Sequence, residues 1–404
     1  MATAQNTSIS GVNKAASDKM LWALLFGNFV IGTGIMLVPG TLNDISTSLQ
    51  VSISTAGQLI TAGAVLMCIS APLFAALVAG WDRRRLLAAS MLWYGALHML
   101  CAMAPNFASL MVLRVLAVVS PAIFTPQAAA VAGLLVPPEQ RGRAITMVFL
   151  GWSVASVVGS PLGAWIGGTY GWRTAFTLLA LMCLVSAAWV WRALPDGIRP
   201  PAISARQWKD TLSSKMLLAA VAVTAISSAG QFVLFAYQAP FLVKTFSATP
   251  GMIAIFFTVF GAFGFMGNLL MSRNIDRLGA PTGVLLALGC MTASLLLWPL
   301  ASSFALVCAV AVPWALGCFS CNSAQQARLV AIAPAVASVS IALNTSAMYM
   351  GQGFGAALGG QMIAHDHMPD LHWAGFIGLV CAMGVSVWAA QLQKTQKTQE
   401  TQNG

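Results

Sequence analysis

Charge is scarce in this chain, and acid is scarcest. Ten Asp and Glu stand against twenty Lys and Arg in 404 residues. Charged residues make up 7% of the sequence and hydrophobic ones 58%, with a mean hydropathy of +0.80. A soluble domain of ordinary make-up carries about 25% charged residues, so a sizeable water-solvated domain is excluded. Also missing are a nucleotide-binding loop, a nucleophile–base constellation and a cofactor motif. That sets aside direct use of ATP and enzymatic catalysis. The eight cysteines (68, 101, 183, 290, 308, 318, 321 and 381) all fall within apolar runs, where a disulfide framework is not expected. Cys318 and Cys321 have a redox-like spacing but are read as packing. The first apolar run is too long for a signal peptide and lacks a cleavage site, so it reads as a span.

What is present is a series of apolar runs near the ~20 residues a helix needs to cross a bilayer. Twelve are legible: 21–42, 54–79, 86–104, 108–135, 144–167, 174–194, 215–237, 250–271, 280–300, 303–325, 335–363 and 373–391. Unpaired backbone groups are not tolerated in lipid, so each run must be helical. The expected fold class is an all-α membrane protein of twelve transmembrane helices in two six-helix pseudo-symmetric halves. If the N-terminus is inside, seventeen of the twenty Lys and Arg lie in inner gaps or tails. Only Arg173 and Lys244 lie outside, and Arg114 sits in a span. The net charge of +10 is therefore a topology signal and a contact with anionic lipid, not a nucleic-acid footprint. It predicts both termini in the cytoplasm of a bacterial cell, with the chain in the inner membrane.

The sequence repeats at an offset of about 196. Gly159-x-x-x-Gly163 matches Gly355-x-x-x-Gly359, and Asp82-Arg-Arg-Arg85 matches Asp276-Arg-Leu-Gly279. The expected organisation is a tail and six-helix half over 1–194, a cytoplasmic linker over 195–214 with Pro195, Pro200 and Pro201, a second half over 215–392 and a polar tail over 393–404. Parallel repeats of this kind suit a transporter that rocks one half against the other around a midplane site.

Within the spans the polar residues carry the functional question. Arg114 lies ~10 Å below Phe107 at ~1.5 Å per residue. It reads either as a structural charge clamp or as a cavity residue that binds an anionic or polar group or tunes a proton site. Asp44, at the outer end of span 1, is the acid positioned to meet Arg114 or, more plainly, to cap a helix. Titration of Asp44 as the cavity opens and closes would load and release a proton. In span 5, Gly151, Gly159, Gly163 and Gly167 form a stripe with Pro161 between them. It reads as tight packing, or as the half–half contact that decides which side opens. The uncharged cavity candidates are Asn28, Thr125, Gln127, Gln231, Tyr237, Gln238, Asn322, Gln326, Asn344, Tyr349 and Gln352. Interhelical bonding is the alternative role of each. Trp152 and Trp314 could stack on a substrate or simply pack. His98 reads as a satisfied buried histidine. His365, Asp366, His367, Asp370 and His372 match no standard metal site and read as a solvated loop.

These residues resemble the major facilitator superfamily, in particular its twelve-span drug:proton antiporters and arabinose-efflux-like permeases. The resemblance covers about residues 20–392. It is carried by Gly159-Ser-Pro161-Leu-Gly163, by Gly171-Trp172-Arg173-Thr-Ala-Phe176 and by Leu113-Arg114-Val115. Asp44 with Ala56-Gly57-Gln58, Gln326-Ala-Arg328 with Pro334, and Leu343-Asn344 with Gly351, Gly355, Gly359 and Gly360 add to it. It implies that Gly159, Pro161 and Gly163 favour exchange and that Arg114 takes part in proton transfer. In the loop after span 2 the chain departs from the family: Ala79 stands at the usual acid and Asp82 at the usual glycine, before Arg83, Arg84 and Arg85. Asp82 is then the acid left to form the helix-end clamp. Tyr349 replaces a common asparagine, and span 1 has no mid-membrane acid, which disfavours cationic drugs.

The expected function is secondary export of a small organic molecule (drug, sugar or nucleoside-like) by proton antiport. Arg114 and Asp44 would couple, and Gly159, Pro161, Gly163, Gly355, Gly359, Asp82, Arg83, Asp276 and Arg277 would switch. An uncoupled facilitator or importer with the same fold is the alternative. Expected partners are a small-molecule substrate, protons and the lipid bilayer. No nucleic acid, cofactor or metal is expected, and the chain is expected to be a monomer.

Overall fold

The computed structural model describes residues 14–78, 80–137, 140–199, 211–333 and 337–403. Ala79, Pro200, Pro201, Arg206, Lys209 and Pro334 lie outside the described residues. Span 1 is α1 (Lys14–Ser48), span 2 is α2 (Ile53–Leu77) and span 3 is α3 (Arg83–Ala102). Span 4 is split into α4 (Phe107–Ala117) and α5 (Val119–Leu134). Span 5 runs through α6 (Arg141–Val154), a π-turn (Ala155–Gly159) and α7 (Ser160–Tyr170). Span 6 is α8 (Trp172–Ala193). Span 7 is α9 (Lys215–Phe235) followed by α10 (Gln238–Phe246). Spans 8 to 12 are α11 (Pro250–Leu278), α12 (Ala280–Leu297), α13 (Phe304–Ile332), α14 (Ala337–Ala364) and α15 (Leu371–Asn403).

Among the described residues, ten of the twelve spans are long and apolar enough to cross a membrane on hydropathy alone. The other two are α3, which opens on three arginines, and α14, which is diluted by Ser, Asn, Gly and Gln. The polarity of the bundle is inverted relative to a soluble protein. Large apolar side chains such as Ile69, Leu73, Val185, Leu270 and Ile377 are exposed, whereas Asn28, Thr41, Gln238, Arg328 and Ser386 are buried. An apolar exterior of this kind is stable in lipid and an interaction liability in water.

Prolines account for the breaks. Pro121 has no N–H for the Ala117 carbonyl, and span 4 divides at Val118. Pro240 likewise frees the Ala236 carbonyl, and span 7 divides at Ala236–Tyr237. Span 5 widens into its π-turn just before Pro161, a local re-pairing of the backbone that often accompanies function.

The internal repeat is a repeat of contacts. A Cβ on Gly159 would overlap Thr33, and one on Gly163 would press on Leu37 of α1. At the same offset, a Cβ on Gly355 would overlap the Ala229 carbonyl and one on Gly359 the Val233 carbonyl of α9. Span 5 thus seats on span 1 as span 11 seats on span 7. Both glycine stripes lie inside their own halves, which corrects the expectation that they form the contact between halves. That contact is made by other faces. Gly261 of α11 presses on the Ser156 backbone in the π-turn, and Gly168 meets Pro250. On the other side Ser54 of α2 donates to the Gly360 carbonyl of α14 at 2.7 Å. Gly57 faces the Tyr237 ring, and Gly353 faces Ala64. Ser54, Gly168, Pro250 and Gly360 all lie at the end of the bundle opposite the start of α1 and the end of α8, the distal end.

Candidate functional site

Arg114 sits on α4 one turn before the break in span 4 and is 4% exposed. Its Nη1 lies 2.9 Å from His98 Nε2, and its Nη2 donates to the Gly34 carbonyl at 2.8 Å. His98 Nδ1 lies 2.8 Å from the Tyr94 carbonyl one turn earlier on α3. The guanidinium therefore ties spans 1, 3 and 4 together through neutral groups. Among the described residues no ion pair includes it. Tyr94 is fully buried over the same spot, with its hydroxyl against Gly34. The Tyr94 and Phe176 rings flank the His98 ring, with centroids at 4.2 and 5.5 Å.

Asp44 is elsewhere. Its Oδ2 accepts from the Trp172 backbone N–H at the start of α8. A carboxylate at that position satisfies an orphan donor and faces the positive end of the helix dipole. Next to it, Arg173 lies 4.3 Å over the Trp172 ring and donates to Ser48 Oγ and the Ala104 carbonyl, each at 2.9 Å. The expected Asp44–Arg114 meeting is thus replaced by two separate latches: Asp44 caps span 6, and Arg114 is answered by His98 and Gly34.

Of the cavity candidates, some are brought together. Asn28 donates from Nδ2 to the Val148 carbonyl at 3.1 Å and accepts from Thr125 Oγ1 at 2.8 Å. Trp152 Nε1 lies 3.4 Å from the same hydroxyl. The second half repeats this bridge: Thr224 donates to Asn344 Oδ1 at 2.6 Å, and Asn344 Nδ2 reaches Asn322 Oδ1 at 3.4 Å. Asn28 and Thr224 are one repeat apart, as are Val148 and Asn344. Gln231 accepts from Trp314 Nε1 at 3.4 Å. Tyr237 donates to the Ala356 carbonyl at 2.8 Å. Gln238, at the break in span 7, is fully buried with neither amide atom paired. Gln127 and Tyr349 are buried, and Tyr349 packs with Met67, Val118 and Ala122 between the halves. Thr125, Asn322, Gln326 and Gln352 keep partial exposure.

The expected switch residues divide in the same way. Asp82 caps α3, accepting from Arg85 N at 3.1 Å, and its other oxygen accepts from Gly197 N at 2.6 Å. Arg83 is 2% exposed and donates to the Val78 and Trp81 carbonyls at 2.6 and 2.9 Å. Arg84 donates to the Trp191 carbonyl at 2.8 Å and lies 4.6 Å over its ring. The loop after span 2 is therefore bound to the end of span 6 in its own half. Asp276 and Arg277 are exposed at the end of α11.

Two residues the sequence did not single out, Tyr94 and Gln325, also enter. Tyr94 belongs to the Arg114 cluster; its signal is its place one turn from His98. Gln325 is buried and donates to the Ala220 carbonyl at 2.7 Å, while its neighbour Gln326 is the more exposed. The charge pattern puts Arg328 among the basic residues of the inner gaps, and the structure corrects this. It is 1% exposed within α13, with Nη1 3.1 Å from Ser386 Oγ and Nη2 3.2 Å from the Ser386 carbonyl. Polar residues end the apolar run at 325, yet the helix continues because neighbouring spans satisfy them. At the distal loop His367 pairs with Asp370 at 3.0 Å. A depression of about 470 Å³ bordered by Leu286, Gly289, Cys290 and Pro313 is apolar and opens on the outer face of α12 and α13, away from all these groups.

Residues 24–239 match the sequence model of the Major Facilitator Superfamily. The chain is 30% identical over 381 residues to the chloramphenicol resistance protein of Streptomyces lividans, covering 92% of this chain and 94% of that one. It is 30% identical over 347 residues to the inner membrane transport protein YdhP of Escherichia coli O157:H7, covering 85% and 88%. Among solved structures it resembles a bacterial homologue of the human lysosomal transporter Spinster (TM-score 0.72, 17% identity, 94% and 98% covered). It also resembles a D-xylose–proton symporter (TM-score 0.71, 16% identity, 91% and 97% covered). At these identities the structural likeness bears on the fold alone.

Proposed function

The chain belongs to the major facilitator superfamily, a family of membrane transporters and not of enzymes, and on that premise we propose that it exports a small organic molecule across the bacterial inner membrane in exchange for protons. The observation that carries this reading is a buried guanidinium, Arg114, held by a carbonyl and a histidine instead of a carboxylate. Such a cation is costly in a membrane, by at least ~2.5–3.5 kcal/mol on the mildest scale. It is retained where a proton or a polar substrate group is handled.

The Streptomyces relative is named for chloramphenicol resistance, an outcome that export of the drug would produce, and this makes chloramphenicol the first compound to test. Neutral or weakly anionic solutes fit a positive, acid-free interior; sugars and nucleosides belong to the same class. The positive-inside pattern supports both termini in the cytoplasm, which puts the Ser54–Gly360 contact on the outer side. The switch is read as the sliding of spans 5 and 11 against spans 8 and 2, with Gly159, Pro161, Gly163, Gly355 and Gly359 holding each half rigid.

Everted vesicles test this reading. With an acid interior, they should take up labelled substrate and alkalinise on substrate addition. Uptake that ignores the proton gradient but still shows saturable counterflow would instead establish a facilitator.

A further inference from the structure

We propose that His98 is the proton-carrying group of this transporter, and that its protonation and the seating of Arg114 on Gly34 exclude one another. The inference rests on the antiport reading above and adds a residue and a mechanism to it.

The argument is one of donors and acceptors. Arg114 has only N–H groups to offer. At 2.9 Å from its Nη1, His98 Nε2 must therefore present a lone pair. The Tyr94 carbonyl can only accept, so His98 Nδ1, 2.8 Å away, carries the ring's single proton. The seated state thus requires a neutral Nδ1–H imidazole. A proton arriving from water adds to the Nε2 lone pair, leaves Nδ1–H intact and makes the ring cationic. Two cations then face each other with a donor on each side. The His98–Arg114 bond is lost, and the guanidinium leaves the Gly34 carbonyl of span 1. Loss of the proton restores the acceptor and the seat.

Among the described residues the surroundings offer no other compensation. The ionisable groups around His98 are Tyr94 and Cys101 on its own helix, Arg114 on α4 and Cys183 on α8, with Tyr349 of α14 beyond Tyr94. None is a carboxylate. The second half shows what the same position does without this chemistry. One repeat on from His98 stands Ser294, and one repeat on from Arg114 stands Val310. There Ser294 Oγ donates to the Val310 carbonyl at 2.6 Å, a neutral bond between the same pair of spans. The titratable version exists only in the first half.

His98→Gln separates the outcomes, since an amide can accept from Arg114 and donate to Tyr94 but cannot take up a proton. In proteoliposomes with labelled chloramphenicol, or whichever compound the wild type transports, the variant should keep saturable counterflow and lose accumulation driven by a proton gradient. A variant that still accumulates substrate against its gradient overturns the role of His98 while leaving antiport standing. A wild type indifferent to the proton gradient overturns both. A second measurement does not depend on that variant folding. Replacing His365, His367 and His372 by Gln leaves His98 as the only one of the chain's four histidines. The ¹⁵N spectrum of that protein at neutral pH should show a protonated Nδ1 and a bare Nε2. The opposite tautomer, or an imidazolium, overturns the exclusion argument.

Discussion

The Asp82 carboxylate lies 2.6 Å from the Gly197 backbone N–H, joining the start of span 3 to the chain leaving span 6. The same side chain caps α3 through Arg85 N. The loop that precedes the first half's basic cluster is therefore anchored by an acid, at the position where the resemblance implies a glycine.

Asp82→Ala removes both acceptors and should lower stability by about 1 kcal/mol, the usual worth of a helix cap. Burial alone would push this carboxyl up. The N–H groups of Arg85 and Gly197 and the Arg85 charge outweigh it and hold the carboxyl below its ordinary value. The folded state thus favours the carboxylate. Its contribution is complete above the ordinary carboxylate value and disappears as pH falls through that value and the lower folded one. Thermal unfolding in detergent should show wild type and variant converging below about pH 4.

Gly159→Ala should cost about 1–3 kcal/mol through overpacking against Thr33. Because the worst overlap is with a side-chain hydroxyl, Thr33→Ala should restore part of the loss. Gly355→Ala meets the Ala229 backbone carbonyl and has no such suppressor. Melting temperatures of the single and double variants decide this, and equal behaviour of the two glycines would refute it.

Asp44→Asn keeps an oxygen for the Trp172 N–H. It should therefore leave gradient-driven export intact, whereas Asp44→Ala should unfold at lower temperature. Export assays and melts on the same preparations check both. Uncoupling by Asp44→Asn would return proton carriage to this acid.

Ser386→Ala leaves the buried Arg328 guanidinium with fewer partners and should cost about 1–3 kcal/mol. Arg328→Met removes the charge along with its need for partners and should cost less, as apolar replacements of buried ions often do. The reverse order in chemical denaturation would show that Arg328 contributes more than packing.

Helix number, the two-fold repeat and the membrane setting were legible because lipid permits only one backbone solution for an apolar run, and because the repeat survives as spaced glycines. Arg114 was legible too, since a guanidinium in such a run stands out by cost alone. What remained hidden was partnership. Asp44 could be matched to Arg114 by sign of charge, but it sits on the α8 N-terminus, 128 residues away along the chain. His98 could be filed as a satisfied histidine, but not as one satisfied by a cation. Gln325 and Gln326 are adjacent letters separated by ~100° of helix rotation, and only packing decides which one is buried.

Hydropathy by itself determined that this chain folds as helices in a bilayer, because within a continuous apolar run of about 20 residues a helix pairs every peptide group inside the segment itself. Which faces of those helices meet, and therefore whether a buried proton acceptor lies within 3 Å of a buried cation, was decided only by tertiary structure. Hydrogen bonds depend on ångström distances between segments far apart in sequence, and composition does not encode those distances.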